Sequence, residues 1–468
     1  MPNELEVTQN KLNSALNGAL NNAASIITKD YLGRLETYEI LPPSEEDIDI
    51  DIAECGKFYK LTKFVINKEE NFLNKLTTIV NVASSIDCSI ATIIKSNGFT
   101  IDYYFGIISK NARSQKENDV KRRIAAAAAF KGALAGNLVG SELTEVSKQE
   151  VSAFKKNILT RKGSSYSSVS GIVALRDEDE KDIEGYVQGI ENLVDSLKGQ
   201  KYTIVMLADP VDTSEIQIIK QGYEMLHTQL STFAQSSVTI NESDTLSLSK
   251  ARTDGISEGI SKGIAMTQSK MKSKGNSFGV STSAGINFIL SANVGFNAGV
   301  NRSTADTTGK TDTTTEINQR NKAVTETTGA SKTAGKSLQL SYENRSVKSL
   351  LDKIDKHLER LDECESFGAF DCAAYVIADD RNTALTVASN YNALMRGKNS
   401  SVQASHINSW SDAKETKILG KYIGSLVHPR FLQSKTDGII VTPASIVSGD
   451  ELAIQIGLPK KSVSGITV

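Results

Sequence analysis

Hydrophobic and polar positions follow two spacings along most of the chain, and these spacings predict strands and helices in turn. Stretches with a period of two are followed by stretches in which apolar residues recur every three or four positions. The elements predicted in this way are strands at 58–66, 88–94, 99–108, 167–175, 202–208 and 370–378, and helices at 68–86, 116–159, 180–197, 214–233, 347–361 and 382–395. Their order predicts an α/β fold with ferredoxin-like or split βαβ layers.

The longest regular pattern lies inside a polar segment, 237–340, which is dominated by Ser, Thr, Gly, Asn and Lys. From Phe278 to Val300 every even position is apolar or Thr, and every odd position except Ile289 is Gly, Ser or Asn. A period of two sustained this long predicts strands with one apolar face and one small polar face. The apolar face includes Phe278, Val280, Ile286, Val294, Phe296 and Val300.

A long β-hairpin with its tip at Phe288-Ile289-Leu290 accounts for this pattern. An odd-numbered loop keeps the apolar residues of both arms on one face, whereas a two-residue turn would not. Each arm is then about ten residues long, which is the strand length that membrane β-barrels use. The flanks continue the symmetry about Ile289, because Val238 mirrors Leu340 and Ile240 mirrors Leu338.

A lone hairpin cannot bury its apolar face, so the pattern predicts that several copies of the chain associate. Such copies would close a barrel or tube with a polar lumen. Two alternatives stay open: an arm that becomes ordered on a partner, and a hairpin that packs on its own domain. A basic collar precedes the apolar zone and consists of Lys270, Lys272 and Lys274.

Proline positions and the polar segment predict the domain organisation. The five predicted parts are a helical leader with an acidic linker at 1–56, an α/β domain at 57–236, the long hairpin insertion at 237–340, a helix-strand-helix segment that completes the α/β domain at 341–427, and a connector toward a C-terminal motor domain at 428–468.

Charge and cysteine content narrow the class of protein. The 53 Lys and Arg residues nearly balance the 55 Asp and Glu residues, which excludes coating of nucleic acid by bulk charge but permits a local basic groove. Four scattered cysteines and four isolated histidines predict neither a disulfide framework nor a structural zinc site. With no secretory signal or membrane-spanning stretch in the sequence, we expect a cytoplasmic protein that would touch a membrane only through the hairpin.

Motifs for catalysis are not found in the sequence. Gly309-Lys310-Thr311 and Gly335-Lys336-Ser337 resemble the end of a phosphate-binding loop, but neither follows an apolar strand or opens an apolar helix. We therefore predict no catalytic residue, no metal site and no cofactor site in this chain. Lys121, Arg122 and Arg123 are a candidate phosphate contact, with a solvated helix face as the alternative.

Two stretches carry a family resemblance, mainly over 340–468. The first reads FGAFDCAAYVIADDRNTALTVASNYNALMR from Phe367, and the second is the run from His428, HPRF…GIIVTPASIVSGDELAIQIGLPKKSVSG. They resemble the N-terminal, non-motor region of bacterial HerA/FtsK-like, conjugative-type translocase ATPases. The phosphate-loop lysine and acidic partner of that family have no counterpart in this chain.

The resemblance implies a ring-forming accessory region of a DNA or protein translocase, in which the hairpins assemble a central tube or pore. It also implies a homo-hexamer with nucleic acid in the channel, and ATP and Mg²⁺ only where a motor domain follows. The alternative from the residue pattern is a self-contained oligomeric protein that forms pores or inserts into membranes without a motor. The third hypothesis is a regulatory binding module with a mobile arm.

Overall fold

The computed structural model describes residues 24–25, 27–48, 51–66, 71–112, 116–160, 163–174, 190–240, 338–343, 345–434 and 439–468. The chain divides into two compact units, a smaller one formed by 1–28 and 217–359 and a larger one formed by 29–216 and 360–468. The division falls inside helices α7 and α8, whose bounds are given below.

Eleven helices and fourteen strands have defined bounds within the described residues. The helices are α1 (Glu45–Ile48), α2 (Ile52–Cys55), α3 (Phe72–Ser85), α4 (Glu117–Asn137), α5 (Lys148–Thr160), α6 (Glu191–Ser196), α7 (Thr213–Ala234), α8 (Arg345–Phe367), α9 (Arg381–Met395), α10 (Ala413–Gly424) and α11 (Gly449–Ile456). The strands are β1 (Glu39–Ile40), β2 (Gly56–Lys63), β3 (Ser89–Asn97), β4 (Ile101–Ile108), β5 (Glu142–Glu145), β6 (Ser165–Ser170), β7 (Lys201–Pro210), β8 (Gln235–Ile240), β9 (Leu338–Glu343), β10 (Ala369–Ala378), β11 (His406–Trp410), β12 (Phe431–Ser434), β13 (Ile439–Val441) and β14 (Ser445–Ser448). Short 3-10 helices cover Asp30–Thr37 and Lys398–Val402.

The larger unit is built on an antiparallel sheet in the order β11-β6-β10-β7-β3-β4-β2-β5. The ninth strand, β14, pairs with the first residues of β10, while β6 pairs with the later residues on the same edge of that strand. Strand β10 is therefore hydrogen-bonded along both edges, and all ten of its residues are buried.

Two repeats of the same topology make up this sheet. The first repeat runs β2-α3-β3-β4-α4-β5 and the second runs β6-α6-β7-β10-α9-β11, so each has the order βαββαβ. In both repeats the fourth strand lies beside the first, followed by the third and the second. The repeats join edge to edge where β3 pairs with β7, from Ile90 opposite Ala208 to Asn97 opposite Lys201. The predicted α/β fold with ferredoxin-like layers is confirmed, and the layered topology occurs twice, once in each repeat.

Alternate strand residues point to opposite faces of the sheet, and one face packs under helices. Tyr103 on β4, Ile204 on β7 and Phe130 on α4 belong to this core and are no more than 1% exposed. The core also takes in α11, because the Tyr103 hydroxyl donates a 2.7 Å hydrogen bond to the carbonyl oxygen of Ile456.

Local sequence signals start several of these elements, and the first of them, the turn at Ser96-Asn97-Gly98, was predicted. The turn between β3 and β4 begins at Asn97, whose side-chain oxygen accepts 2.8 Å hydrogen bonds from the amides of Phe99 and Thr100. Gly98 has a φ of 94°, which favours glycine at this position. Helix α11 begins with a capping box in which Ser448 and Glu451 bind each other's backbone amides.

The helix predicted over 116–159 is wrong, because the structure divides this segment into α4, β5 and α5. Helix α4 ends shortly before Gly140, which has a φ of 81°. The short strand β5 then pairs with β2, and Glu145 lies 2.6 Å from the ammonium group of Lys57 on that strand. Pairing with a strand far away in the sequence outweighs the local helical pattern here.

Residues 428–468, predicted as a connector, supply β12, β13, β14 and α11. Ile466 is 1% exposed, and Thr467 forms a bridge with Lys63 at the end of β2. This segment is therefore part of the folded unit, and a motor domain beyond it stays a prediction. Among the described helices, none has the length and apolar content needed to cross a bilayer.

The smaller unit contains most of α7, the strands β8 and β9, and the first part of α8. The two strands pair antiparallel, with Val238 opposite Leu340 and Ile240 opposite Leu338. These are the pairs that the sequence symmetry about Ile289 predicts. The rest of the predicted hairpin, 241–337, lies outside the described residues.

Candidate functional site

The predicted hairpin residues all lie outside the described residues. These are the tip Phe288, Ile289 and Leu290, the apolar face Phe278, Val280, Ile286, Val294, Phe296 and Val300, and the basic collar Lys270, Lys272 and Lys274. Their roles stay predictions.

The candidate phosphate contact lies in the first turns of α4. Lys121 is exposed and its ammonium group lies 2.6 Å from Glu117, one helical turn earlier. Arg123 is half-buried and donates a 2.7 Å hydrogen bond to the carbonyl oxygen of Ala112. Arg122 is exposed. These contacts favour the solvated-face alternative, in which the cations support their own helix and its neighbouring loop.

The insertion enters and leaves the second repeat at a defined point of the βαββαβ order. In the first repeat, the second and third strands, β3 and β4, are joined by the tight turn at Gly98. In the second repeat the corresponding strands are β7 and β10, and the chain between them carries α7, β8, 241–337, β9 and α8. The segment from α7 to α8, which carries the insertion 237–340 in its middle, therefore takes the place of a hairpin turn in an otherwise complete repeat.

Within the smaller unit, side chains of α7 and α8 hold the two ends of the insertion together. The rings of Tyr223 and His357 stack with centroids 5.0 Å apart, and the imidazole of His227 lies 3.3 Å from the carboxylate of Asp355. The Nε2 atom of His357 lies 3.1 Å from the carbonyl oxygen of Ile27. Leu226, Leu230, Val347 and Ile354 are fully or almost fully buried. We call this pair of helices with β8 and β9 the insertion mount.

On the larger unit, the sheet face opposite the helical core carries a buried polar cluster at one end. The hydroxyl of Tyr375 lies 2.6 Å from Nδ1 of His428, and Nε2 of His428 lies 3.1 Å from the carbonyl oxygen of Asp371. A carbonyl oxygen only accepts, so Nε2 carries a proton, and in the neutral tautomer with that proton Nδ1 accepts from the tyrosine. Nearby, the ammonium group of Lys110 lies 2.5 Å from the carboxylate of Asp209.

Burial decides what this cluster can do. Asp371, Tyr375 and His428 are 7%, 2% and 6% exposed, so a substrate has no direct access to them. Burial, followed by the charges of Asp209, Cys372 and Asp371, raises the pKa of Tyr375 and keeps its hydroxyl protonated as a hydrogen-bond donor. The cluster therefore joins β10 to the segment after α10 and is structural.

The same sheet face carries an open cleft at its other end, which we call the α5 cleft. It has a volume of about 770 Å³ and lies between α5 and the strands β2, β3, β4, β7 and β10. Its apolar lining consists of Phe58, Ile93, Val146, Val151, Phe154, Ile158 and Ile377, with further contributions from Ala153 and Tyr202. Pockets of this size with a mainly apolar lining are typical of binding sites.

Polar groups lie along two sides of the α5 cleft. On the strand side, Lys95 pairs directly with Thr203, and Lys201 pairs directly with Asn97. On the helix side, Glu150 lines the cleft and accepts hydrogen bonds of 3.0 and 2.9 Å from the amide and hydroxyl of Ser147. These bonds lower the pKa of Glu150, so this carboxylate is ionised at neutral pH.

Sequence reasoning missed the α5 cleft because its strand side forms where the two repeats join. The pairing of β3 with β7 is not visible in local periodicity. One signal was present in the sequence: Lys95 interrupts the apolar run of a strand whose neighbours Ile93 and Ile94 are almost fully buried.

The described part of the chain contains neither a cluster of metal ligands nor an exposed, reactive thiol. No cluster there brings together three His, Cys, Asp or Glu side chains that could hold a metal ion. All four cysteines are buried as free thiols. Burial raises the pKa of the Cys372 thiol, so this group is protonated and a poor nucleophile.

No family model, curated protein or solved structure matches the chain.

Proposed function

We propose that the chain is a ring-forming accessory module of a DNA or protein translocase, in which the insertions of several copies assemble around a central channel. The position of the insertion carries this proposal. Because the insertion lies in a segment that takes the place of a hairpin turn between β7 and β10, both repeats complete their sheet without it. A segment that the sheet does not need for its own pairing is available for assembly.

The insertion mount supports the same role. Two long helices lead into the paired strands β8 and β9, with apolar residues from both strands on one face of the ribbon. A two-stranded ribbon alone is only marginally stable in water, and further strands or a helix are needed to cover its apolar face. Strands from neighbouring copies provide that cover in a closed tube.

The module itself performs no hydrolysis in this proposal. We expect a hexamer, with nucleic acid in the channel as the candidate cargo, and we expect ATP and Mg²⁺ to act in a motor domain. The candidate phosphate contact Lys121, Arg122 and Arg123 has no assigned part in this role.

Electron microscopy of the full chain at micromolar concentration tests this proposal. A matched variant replaces 241–337 with an Asn-Gly turn, which is compatible with a two-residue hairpin between Ile240 and Leu338. We expect rings for the full chain and single particles for the variant, with the same urea midpoint for the larger unit. Single particles for both proteins, or rings for both, would overturn the proposal.

A self-contained pore-forming protein is the second candidate, and the alternation from Phe278 to Val300 favours it. Liposome leakage tests it. We expect a variant with Phe288→Asp and Leu290→Asp to lose leakage, because each carboxylate would have to enter lipid. The matched control, Asn287→Asp with Ser291→Asp, adds the same charge at odd positions and should retain leakage. Absence of leakage in the unmodified chain would exclude this candidate.

A further inference from the structure

We propose that the α5 cleft docks an amphipathic helix of a partner protein, with its apolar side chains on the sheet and its carboxylates on Lys95 and Lys201. This site is on the larger unit and does not depend on the insertion or on the proposed ring.

The shape of the cleft fits a short length of helix. A helix with side chains is about 10 Å across and rises about 1.5 Å per residue, so about 770 Å³ holds roughly six residues, close to two turns. One wall is α5 itself, which contributes Val151, Phe154 and Ile158. A docked helix would lie beside α5 on the strands.

The floor of the cleft is apolar where the helix would rest. Ile93 and Ile377 are 3% and 1% exposed, and both are on strands of the sheet. Phe154 on α5 is only half-buried, so its ring has apolar surface left to cover. Ile93 and Ile377 are already buried, so the main free energy of helix-in-groove binding would come from covering the partly exposed Phe154 and Val146.

Two lysine side chains without a carboxylate partner give the α5 cleft its specificity for an acidic helix. The three lysines of β2 are each paired with a carboxylate across the sheet, Lys57 with Glu145, Lys60 with Asp102 and Lys63 with Glu142. The side chains of Lys95 and Lys201, by contrast, have no ion pair or hydrogen bond within the described part of the chain. Asp102 lies opposite Lys95 in the strand register, but its carboxylate pairs with Lys60.

The strand register brings these two unpaired lysines together. Lys95 lies opposite Thr203, and Lys201 lies two residues before Thr203 on the same strand, so the lysines are diagonal neighbours on the cleft face. A carboxylate placed between them relieves their mutual repulsion and forms charge-assisted hydrogen bonds.

Glu150 sets the orientation of the docked helix. Its carboxylate lies on the α5 side of the cleft and is ionised, as its lowered pKa indicates. Acidic residues of the partner are repelled there and attracted to the strand side. The partner helix therefore carries its carboxylates on the flank that faces away from α5.

Fluorescence anisotropy with two synthetic peptides tests the proposal on the full chain. Both are stapled helical peptides of about 12 residues with a Leu face. One carries Glu on the flank and the other carries Lys at the same positions. We expect the Glu peptide to bind at least about tenfold more tightly than the Lys peptide, with an affinity that falls as salt rises.

Variants of the chain make the charge argument decisive. In Lys95→Glu with Lys201→Glu, we expect the preference to invert, so that the Lys peptide binds more tightly than the Glu peptide. The control, Lys417→Glu with Lys461→Glu, makes the same change in net charge at exposed positions outside the cleft and should leave the preference unchanged.

Three results would overturn the proposal. The first is equal or absent binding of the two peptides to the unmodified chain. The second is a preference that does not invert in the double variant while circular dichroism shows it folded. The third is a long-chain carboxylate such as decanoate that binds with the same lysine dependence while neither peptide binds, which would make the cleft a small-amphiphile site.

Discussion

Val238 on β8 lies directly opposite Leu340 on β9, although the whole polar segment separates them along the chain. The next apolar pair, Ile240 and Leu338, lies two residues further along the ribbon and therefore on the same face. The base of the insertion thus has one apolar face in the register that the sequence symmetry predicts.

A disulfide tests this register. Directly opposite residues of antiparallel strands have Cα atoms about 4.5–5.5 Å apart, which is within the range that a disulfide spans. We expect Val238→Cys with Leu340→Cys to form a cross-link on mild oxidation, seen as a mass loss of two hydrogens. The control, Val238→Cys with Gln339→Cys, places the thiols on opposite faces and should stay reduced; efficient cross-linking of the control instead would contradict the register.

Removing the Tyr375 hydroxyl should destabilise the larger unit. Tyr375→Phe leaves the buried Nδ1 of His428 without its 2.6 Å partner, and an unsatisfied buried acceptor costs about 1–3 kcal/mol. The measurement is the free energy of unfolding in urea. Tyr202→Phe is the matched control, because the buried hydroxyl of Tyr202 has no hydrogen-bond partner among the described residues. We expect this control to be neutral or stabilising, and equal losses in both variants would contradict the account.

The Lys110–Asp209 pair predicts a strong coupling. Both side chains are mostly buried, at 12% and 15% exposed, with nitrogen and oxygen 2.5 Å apart. Lys110→Met removes the nearest cation from this carboxylate, and breaking a buried pair costs about 3–5 kcal/mol. We expect the double variant with Asp209→Asn to recover part of that loss. Additive losses in a double-mutant cycle would show that the two groups do not interact.

Alkaline pH should destabilise the larger unit through its buried tyrosines. Burial raises the pKa of Tyr202 to about 12, and it is the leading cause that raises the pKa values of Tyr104 and Tyr422 to about 12. A group whose folded pKa is raised above its unfolded value of 10.0 contributes stability below that value. This contribution is lost as the pH rises through the folded pKa.

The free energy of unfolding should therefore fall between about pH 10 and pH 12. Absorbance at 295 nm should show part of the 13 tyrosines ionising only in this range. Tyr202→Phe should reduce the slope of stability against pH. A slope that is unchanged in this variant would show that Tyr202 ionises freely in the folded state.

Local pattern was sufficient for elements whose partners lie nearby in sequence. The hairpin of β3 and β4 was predicted because Ser96-Asn97-Gly98 combines an acceptor side chain with a glycine in the left-handed region. Each of the helices α3, α7, α8 and α9 carries an apolar stripe at helical spacing, and the sequence predicted all four. The predicted and observed bounds agree to within a few residues at one or both ends of each helix.

Local sequence pattern did not predict the pairing of strands that are distant in sequence. Strand β5 is four residues long with a glutamate at each end, and only its contact with β2 makes it a strand. Likewise, β14 pairs with β10 inside a segment whose prolines predict a connector. The α5 cleft was missed for this reason, since its two unpaired lysines become neighbours only when β3 and β7 meet.

Sedimentation velocity of the full chain and of the variant without 241–337 tests most directly whether the insertion assembles copies of the module. We expect the full chain at micromolar concentration to sediment as a single oligomer several times the 50.5 kDa mass of one chain. We expect the variant to sediment as a folded monomer. A full chain that stays monomeric over this range, or a variant that forms the same oligomer, would contradict the account.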